Sequence, residues 1–295
     1  MDYIYICNTG SDSISKVCLK DFKEKTIDIY KEHERVGPHG ICGWKSYVLV
    51  ANNYNDTMSV LDIIEDKEMC NYYIGVHCND LKVFKDHAYI VCGESNTLVI
   101  FDLINGKIIR EIPCGNMPHS IDICLDTGMA VVANMESDDI SIIDCVKNEG
   151  LKTIKLYGSY PTKAVFSKDG ERVLTCESNI GMDCNGKVNI ASVKSGRSIA
   201  TIETGKSPVD ICIEWSKSMA FVSNFLDGTV SVLDLDILEE VDRIYLGGMP
   251  RGILKHKRCL YVGDNYNNIL NRYDIYKGNK NVITIGKEPN GMTLI

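Results

Sequence analysis

Five side chains of this sequence are candidates for acid–base chemistry or anion binding: His39, His77, His119, Glu177 and Arg251. A histidine or a glutamate can act as a general base, and an arginine can stabilise an oxyanion. No segment of the chain places a nucleophile beside a base, because these five residues lie far apart. Any joint chemistry therefore requires a fold that brings distant segments together.

Histidine is also a common metal ligand, which makes His39, His77 and His119 a possible metal site. Their separations do not match the short ligand spacings of zinc motifs, and the chain contains no Cys-x-x-Cys pair. Residues 183–186 resemble the start of a calcium loop, but the twelve-residue pattern with its terminal glutamate is missing. We therefore expect neither a metal nor a cofactor.

The sequence repeats with a regular period, and proline marks the repeat. Six prolines and one cysteine occupy the same position: Pro38, Cys78, Pro118, Pro161, Pro208, Pro250 and Pro289. The successive steps are 40, 40, 43, 47, 42 and 39 residues. A four-stranded blade of a β-propeller has this length.

Four further columns keep register with the proline. Glycine precedes it by three residues, where it permits a positive φ, at Gly75, Gly115, Gly158, Gly205, Gly247 and Gly286. A mostly asparagine column ends one apolar strand, at Asn8, Asn52, Gly93, Asn134, Glu177, Asn224 and Asp264. Small residues precede this column, among them Cys7, Cys92 and Cys176. Aspartate ends the next strand, at Asp62, Asp102, Asp144, Asp234 and Asp274. Asparagine and aspartate accept hydrogen bonds from turn backbones, so we interpret both of their columns as mainly structural.

The columns predict an all-β fold, a seven-bladed β-propeller with four-stranded blades that forms a single domain over residues 1–295. Residues 3–8 match a second strand, so the first blade lacks its innermost strand at the N-terminal end. Residues 288–295 match an innermost strand that nothing follows. We expect this C-terminal strand to pair into the first blade and close the ring.

The repeat resembles the YVTN β-propeller repeat of YncE-like proteins. The resemblance rests on Val-Ala-Asn at 50–52 and 132–134 and Val-Ser-Asn at 222–224, each followed by a polar turn and a further strand. It covers the whole chain and implies the propeller fold. Members of this family include surface proteins, DNA-binding periplasmic proteins and lactonase-like enzymes, so the resemblance implies no single function. No lactonase active-site motif matches particular positions of this sequence.

The strand order of a propeller predicts where the five candidate residues lie. His39, His119 and Arg251 directly follow a repeat proline, Glu177 belongs to the asparagine column, and His77 precedes Cys78. The turns that carry these positions lie on one face, so we predict that the five side chains meet at the mouth of the central channel. Glu177 and Arg251 break the repeat pattern, which makes them stronger candidates for ligand binding. The histidines could instead only hydrogen-bond a loop.

Composition narrows the partners and the compartment. Acidic residues outnumber basic residues by 40 to 32, for a net charge of −8, so neither nucleic acid nor a membrane is expected as a partner. The first residues do not form a signal peptide pattern. Thirteen cysteines, an odd number, suit a reducing compartment better than a disulfide framework. We expect a cytoplasmic monomer.

Our leading functional hypothesis is a binding or interaction scaffold, with a small polar ligand or a peptide or protein at the channel mouth. The alternative is a lactonase-like hydrolase or isomerase, in which Glu177 or a histidine is the general base and Arg251 stabilises an oxyanion. A third possibility, binding of single-stranded nucleic acid, would require a basic groove lined with aromatic residues.

Overall fold

A computed structural model describes residues 2–29, 31, 33–156 and 160–295. These residues form seven antiparallel sheets of four strands each, which stand around a central channel as the blades of a propeller. The predicted fold class is therefore confirmed. The described residues contain no helix with the length and apolar character needed to cross a membrane.

The first four blades follow the chain from the N-terminal end. Blade 1 begins with β1 (Tyr3–Asn8), β2 (Ser13–Cys18) and β3 (Lys23–Asp28). Blade 2 contains β4 (Pro38–Trp44), β5 (Tyr47–Asn52), β6 (Thr57–Asp62) and β7 (Lys67–Tyr73). Blade 3 contains β8 (Cys78–Phe84), β9 (His87–Cys92), β10 (Thr97–Asp102) and β11 (Lys107–Pro113). Blade 4 contains β12 (Pro118–Cys124), β13 (Met129–Asn134), β14 (Asp139–Asp144) and β15 (Glu149–Lys155).

The remaining three blades complete the ring. Blade 5 contains β16 (Pro161–Phe166), β17 (Arg172–Glu177), β18 (Lys187–Ser192) and β19 (Arg197–Glu203). Blade 6 contains β20 (Pro208–Glu214), β21 (Met219–Asn224), β22 (Thr229–Asp234) and β23 (Glu239–Tyr245). Blade 7 contains β24 (Pro250–His256), β25 (Cys259–Asp264), β26 (Ile269–Asp274) and β27 (Lys280–Thr284). The last strand is β28 (Pro289–Leu294), and two short 3-10 helices cover Thr9–Ser11 and Trp215–Lys217.

The two ends of the chain meet in blade 1, as the sequence predicted. Strand β28 pairs with β1 in antiparallel register, with Tyr5 opposite Thr293. Tyr3 and Ile295 exchange both backbone hydrogen bonds, at 2.8 and 2.9 Å. Ring closure therefore depends on backbone pairing between the first and last strands.

The hydrophobic core is divided among the seven interfaces between neighbouring blades. Each interface holds one buried cluster, because alternate residues of a strand point to opposite faces of its sheet. In β9, for example, Ala88 and Ile90 pack against blade 2, whereas Tyr89 and Val91 pack against blade 4. Short apolar strands that are buried on both faces explain the runs of valine, isoleucine and leucine in the sequence.

The glycine column has a different cause from the predicted one. Gly247 has a positive φ of 79°, but Gly115 and Gly286 do not, and Gly158 lies outside the described residues. A Cβ atom at Gly115 would lie 2.6 Å from Asp139 Oδ1 and 2.8 Å from the Cβ of Asn134. The column is therefore glycine mainly because the turn passes close to the asparagine column.

The asparagines bond within their blades and do not cap turns through the backbone. The Asn52 side chain donates to the hydroxyls of Thr57 and Ser59 at 3.0 and 2.8 Å, and Asn8 and Asn224 make equivalent pairs of bonds. In blade 3 the predicted member of the asparagine column is wrong by one residue. Cys92, not Gly93, is the equivalent of Asn52, because it lies opposite Cys78 as Asn52 lies opposite Pro38.

Candidate functional site

A backbone irregularity at the start of the innermost strands builds the lining of the channel. The pairing with the second strand shifts register just after the proline, as between Pro118 and Ser120 or between Pro161 and Lys163. Such a β-bulge sets two successive residues against one residue of the partner strand. The first of the two forms a mouth ring, made of His39, Asn79, His119, Thr162, Val209, Arg251 and Asn290. The second forms an inner ring, made of Gly40, Asp80, Ser120, Lys163, Asp210, Gly252 and Gly291.

The two rings line a cavity of about 320 Å³ at the channel mouth. All seven residues of the inner ring line it, as do all residues of the mouth ring except Asn79. Met135, Ile180, Phe225 and Leu226, from the turns of blades 4 to 6, add an apolar wall. The cavity thus combines charged and polar groups at its base with hydrocarbon on one side, as small-molecule sites do.

Three of the five predicted residues meet in this cavity. Arg251 Nη2 lies 3.3 Å from His39 Nε2, and the rings of His39 and His119 meet edge to face with centroids 5.5 Å apart. Arg251 also donates from Nε to Asn290 Oδ1 at 2.8 Å. A Cβ atom on Gly291 would lie 2.5 Å from the carbonyl oxygen of His39, so glycine lets the innermost strands of blades 1 and 2 approach closely.

Backbone contacts determine which nitrogen of each histidine carries the proton. His39 Nδ1 lies 2.7 Å from the carbonyl oxygen of Asn79, and His119 Nδ1 lies 2.8 Å from that of Thr162. A carbonyl can only accept, so both Nδ1 atoms donate and each neutral ring keeps a lone pair on Nε2. Within the described residues, the Nε2 atom of His119 has no hydrogen-bond partner.

The environment keeps both histidines neutral. Burial and the nearby Arg251 guanidinium lower the pKa of His119 to about 4. The same two causes, with a smaller contribution from His119, hold the pKa of His39 well below its usual value. The cavity therefore presents one guanidinium together with two uncharged imidazoles at neutral pH.

The inner ring carries a compact set of charges that the sequence analysis missed. Lys163 Nζ lies 3.2 Å from Asp80 and 3.9 Å from Asp210. Burial alone would lower the pKa of Lys163, but the two carboxylates outweigh burial and raise it. Burial raises the pKa of Asp210, and Lys163 opposes this effect. The position two residues after the proline could have indicated these groups, since charge is unusual at the start of a buried strand.

Glu177 does not reach the cavity. It is fully buried, and its carboxylate lies 3.0 Å from Lys187 Nζ on the adjacent strand of the same blade. Burial raises the pKa of Glu177, and the contacts with Lys187 and Asn189 oppose this shift. The prediction that this side chain points to the mouth is wrong, because the asparagine column faces the third strand of its own blade.

His77 also stays outside the cavity lining. Its Nε2 atom lies 3.3 Å from Asn53 Nδ2, and its Nδ1 atom lies 3.5 Å from Glu94. Its backbone N–H donates to Asp56 at 2.8 Å, and its φ is 63°. The residue occupies the tight turn before β8, where these contacts hold its ring beside the turns of blades 2 and 3.

The described residues contain no group of three or more histidine, cysteine, aspartate or glutamate side chains placed to hold a metal ion.

Comparisons with known proteins define the class of this chain and no more. No family model matches the sequence, and no curated protein matches it. Solved structures match the fold. A functionally unknown protein from Desulfotomaculum acetoxidans DSM 771 gives a TM-score of 0.82 at 13% identity, over 100% of this chain and 99% of that one. Hydrazine synthase from Kuenenia stuttgartiensis gives a TM-score of 0.75 at 19% identity, over 84% of this chain and 79% of that one.

A computationally designed protein, Ika8, is also similar in structure. Its TM-score is 0.71 at 12% identity, with 97% of this chain and 85% of the designed chain covered. Identities this low show the fold alone. The chain is thus a seven-bladed β-propeller, and its function has to be inferred from its own site.

Proposed function

We propose that this protein is a non-enzymatic binding propeller whose ligand is a small molecule held in the cavity at the channel mouth. The observation that carries the proposal is the cavity itself. Side chains or backbone from all seven innermost strands line it, and its polar base faces an apolar wall. Pockets of this mixed character on a rigid scaffold are typical ligand sites.

The size of the cavity favours a small molecule over a peptide. A volume of about 320 Å³ lies at the lower end of the range for small-molecule pockets, which is about 300–1,000 Å³. A folded or extended peptide would have to rest on the rim and could insert one side chain at most. A compact ligand could instead contact Arg251, His119 and Phe225 together.

The geometry weakens the alternative of a lactonase-like hydrolase or isomerase. Glu177, its carboxylate base, is buried against Lys187 and does not line the cavity. His119, with a pKa of about 4, would be a weak base, since general-base catalysis works best when the pKa lies near the working pH. We therefore favour binding without turnover.

A ligand screen with a blocked cavity tests the proposal. Purified protein is screened by thermal shift against small metabolites, and the melting temperature should rise with the ligand. Val209→Trp fills the cavity and should abolish the shift, because Val209 lines the cavity. Val146→Trp, at a site that is 64% exposed, is the matched control and should retain the shift. A ligand that binds Val209→Trp as well as the wild type, or that is converted to product, would contradict the proposal.

Membership of the YVTN or YncE-like family and a monomeric, cytoplasmic state belong to the same proposal. The thirteen cysteines, all within the described residues, form no disulfide, and the Sγ atoms of Cys78 and Cys92 lie only 3.7 Å apart. A reducing compartment suits such a pair. Light scattering should give the mass of one chain, and a fluorescent fusion should fill the cytoplasm; a dimer mass or an envelope signal would refute these points.

A further inference from the structure

Arg251 has different partners from three other arginines of the chain. Three arginines form ion pairs with carboxylates of the protein: Arg35 with Asp12, Arg243 with Glu240, and Arg258 with Asp274. Among the described residues, no carboxylate forms an ion pair with Arg251. Arg251 is nevertheless partly buried, and this burial lowers the pKa of its guanidinium. A cation that is partly removed from water and has no counter-ion is destabilising unless a ligand supplies one.

The two hydrogen bonds that Arg251 makes orient its guanidinium plane and leave other N–H donors free. Nε donates to Asn290, and Nη2 donates to the lone pair on His39 Nε2. A guanidinium has five N–H groups, so three remain for a ligand, two of them on Nη1. Adjacent N–H groups of this kind match the two oxygens of a carboxylate.

The carboxylates nearest in the ring cannot serve as permanent partners. Asp80 accepts hydrogen bonds from Lys163 and from the backbone N–H of Ile121. Asp210 accepts from the backbone N–H groups of Ile211 and Ile253 and lies beside Lys163. Both carboxylates thus already have partners other than Arg251. Their negative charge also disfavours a ligand with more than one charge.

The cavity offers hydrogen-bond acceptors as well as donors. His119 lines the cavity together with Arg251, its Nδ1 is bonded to the backbone, and within the described residues its Nε2 lone pair has no partner. A carboxylate cannot satisfy this atom, because both groups only accept. A ligand that fills the site must therefore also carry a donor, such as a hydroxyl group, near its negative charge.

The remaining wall is hydrocarbon. Phe225 lies with its ring centre 5.9 Å from the Arg251 guanidinium carbon, and Leu226 lines the cavity although its side chain is 53% exposed. Met135 and Val209 complete this side. A short alkyl or aryl group would bury these surfaces, and a purely polar ligand would leave them wet.

We propose that the ligand is a compact monocarboxylate that bears a hydroxyl group next to the carboxylate and a small apolar body, which is to say a 2-hydroxy acid. The carboxylate binds the free edge of Arg251, the hydroxyl donates to His119 Nε2, and the apolar body lies against Phe225 and Leu226. This inference rests on the proposed function, since it assumes that the cavity is the binding site.

Three probes of one shape test each element of this proposal by isothermal titration. They are 2-hydroxy-4-methylpentanoate, 4-methylpentanoate without the hydroxyl group, and the neutral amide of the hydroxy acid. We expect the hydroxy acid to bind best, the acid without the hydroxyl to bind about 10-fold more weakly, and the amide to bind about 10- to 100-fold more weakly. An amide that binds as tightly as the acid would overturn the proposal, and this comparison needs no variant.

Two variants then assign the preferences to residues. Arg251→Gln should remove the preference for the acid over the amide, and His119→Phe should remove the preference for the hydroxyl group. Arg258→Gln, which changes an arginine outside the cavity, is the matched control and should keep both preferences. Circular dichroism verifies that each variant is folded. Preferences that survive in Arg251→Gln would refute the assignment.

The two levels of the proposal can fail separately. If the hydroxy acid does not bind but a neutral ligand from the screen does, and Val209→Trp abolishes that binding, the cavity is a binding site and the 2-hydroxy acid is wrong. If no compound binds in a manner that Val209→Trp abolishes, the binding function of the cavity itself is wrong.

Discussion

Nη2 of Arg251 lies 3.3 Å from Nε2 of His39, although 212 residues separate the two along the chain. Arg251 belongs to blade 7 and His39 to blade 2, so the contact spans blade 1. Between them lies Asn290 of β28, which accepts a hydrogen bond from Arg251 Nε. The strand that closes the ring therefore also supplies the residue that orients the guanidinium, and closure and site geometry are coupled.

This coupling predicts different effects for proline at two adjacent positions of β28. Tyr3 and Ile295 exchange both backbone hydrogen bonds, and such pairs recur every second residue in antiparallel strands, so the N–H of Thr293 points to β1. Thr293→Pro should lose this donor and reduce the free energy of unfolding by about 3 kcal/mol. The measurement is urea denaturation followed by circular dichroism.

Leu294→Pro is the matched control for the closing strand. Its N–H points away from β1 into the channel, where no strand pairs with it, and proline is tolerated at such edge positions. We expect a clearly smaller loss of stability than for Thr293→Pro. Equal losses at both positions would show that β28 does not hold the ring through this register.

The fold could be predicted from the sequence because several independent patterns all indicated the same architecture. The proline spacing gave the blade length, the apolar runs gave the strands, and the match of residues 3–8 to a second strand required the last strand to close blade 1. His39, His119 and Arg251 were placed correctly because each directly follows the residue that begins an innermost strand.

Two features of the site could not be obtained in this way. Simple alternation along a strand predicts that only one of two successive residues faces the channel, whereas the β-bulge turns both toward it, so Lys163, Asp80 and Asp210 were missed. Glu177 was misplaced because the turns on one face were expected to bring the asparagine column to the channel mouth, whereas this column faces the third strand of its own blade. Glutamate takes the place of asparagine at this position, and Lys187 and Asn189 on the neighbouring strand are its partners.

The charge cluster of the inner ring should be a determinant of stability. Lys163→Met removes the cation that lies 3.2 Å from Asp80 and 3.9 Å from Asp210, which should cost about 2–3 kcal/mol at pH 7. The loss should be smaller at pH 5, because burial already raises the pKa of Asp210 and a proton can replace the missing charge. Urea denaturation at both pH values measures this difference.

Lys168→Met is the control for the same chemical change. Lys168 is exposed, so its loss should change the free energy of unfolding by less than about 0.5 kcal/mol at either pH. A Lys163→Met variant as stable as this control would mean that the ion pairs do not form.

The pair of Glu177 and Lys187 should behave as a replaceable structural unit. Lys187→Thr alone leaves a buried carboxylate without its cation, which should cost about 3 kcal/mol. The triple variant with Glu177→Asn, Lys187→Thr and Asn189→Ser recreates the side-chain network that Asn52, Thr57 and Ser59 form in blade 2. It should recover most of the lost stability in urea denaturation. A triple variant that is no more stable than Lys187→Thr would contradict this view.

The depressed pKa of His119 predicts a specific loss of stability in acid. In the unfolded chain this imidazole takes up a proton near its usual pKa of 6.5, whereas in the folded protein it does so only near 4. Between these values the unfolded state binds more protons, so falling pH favours unfolding. Each pKa unit corresponds to about 1.4 kcal/mol, and because the ring partly faces a water-accessible cavity we expect a loss of about 2 kcal/mol between pH 6.5 and pH 4. His119→Gln, which has no titrating group, should lose less over the same range, and the difference between the two urea denaturation series isolates this histidine. Parallel pH profiles for the wild type and His119→Gln would show that the imidazole is not kept neutral by its surroundings.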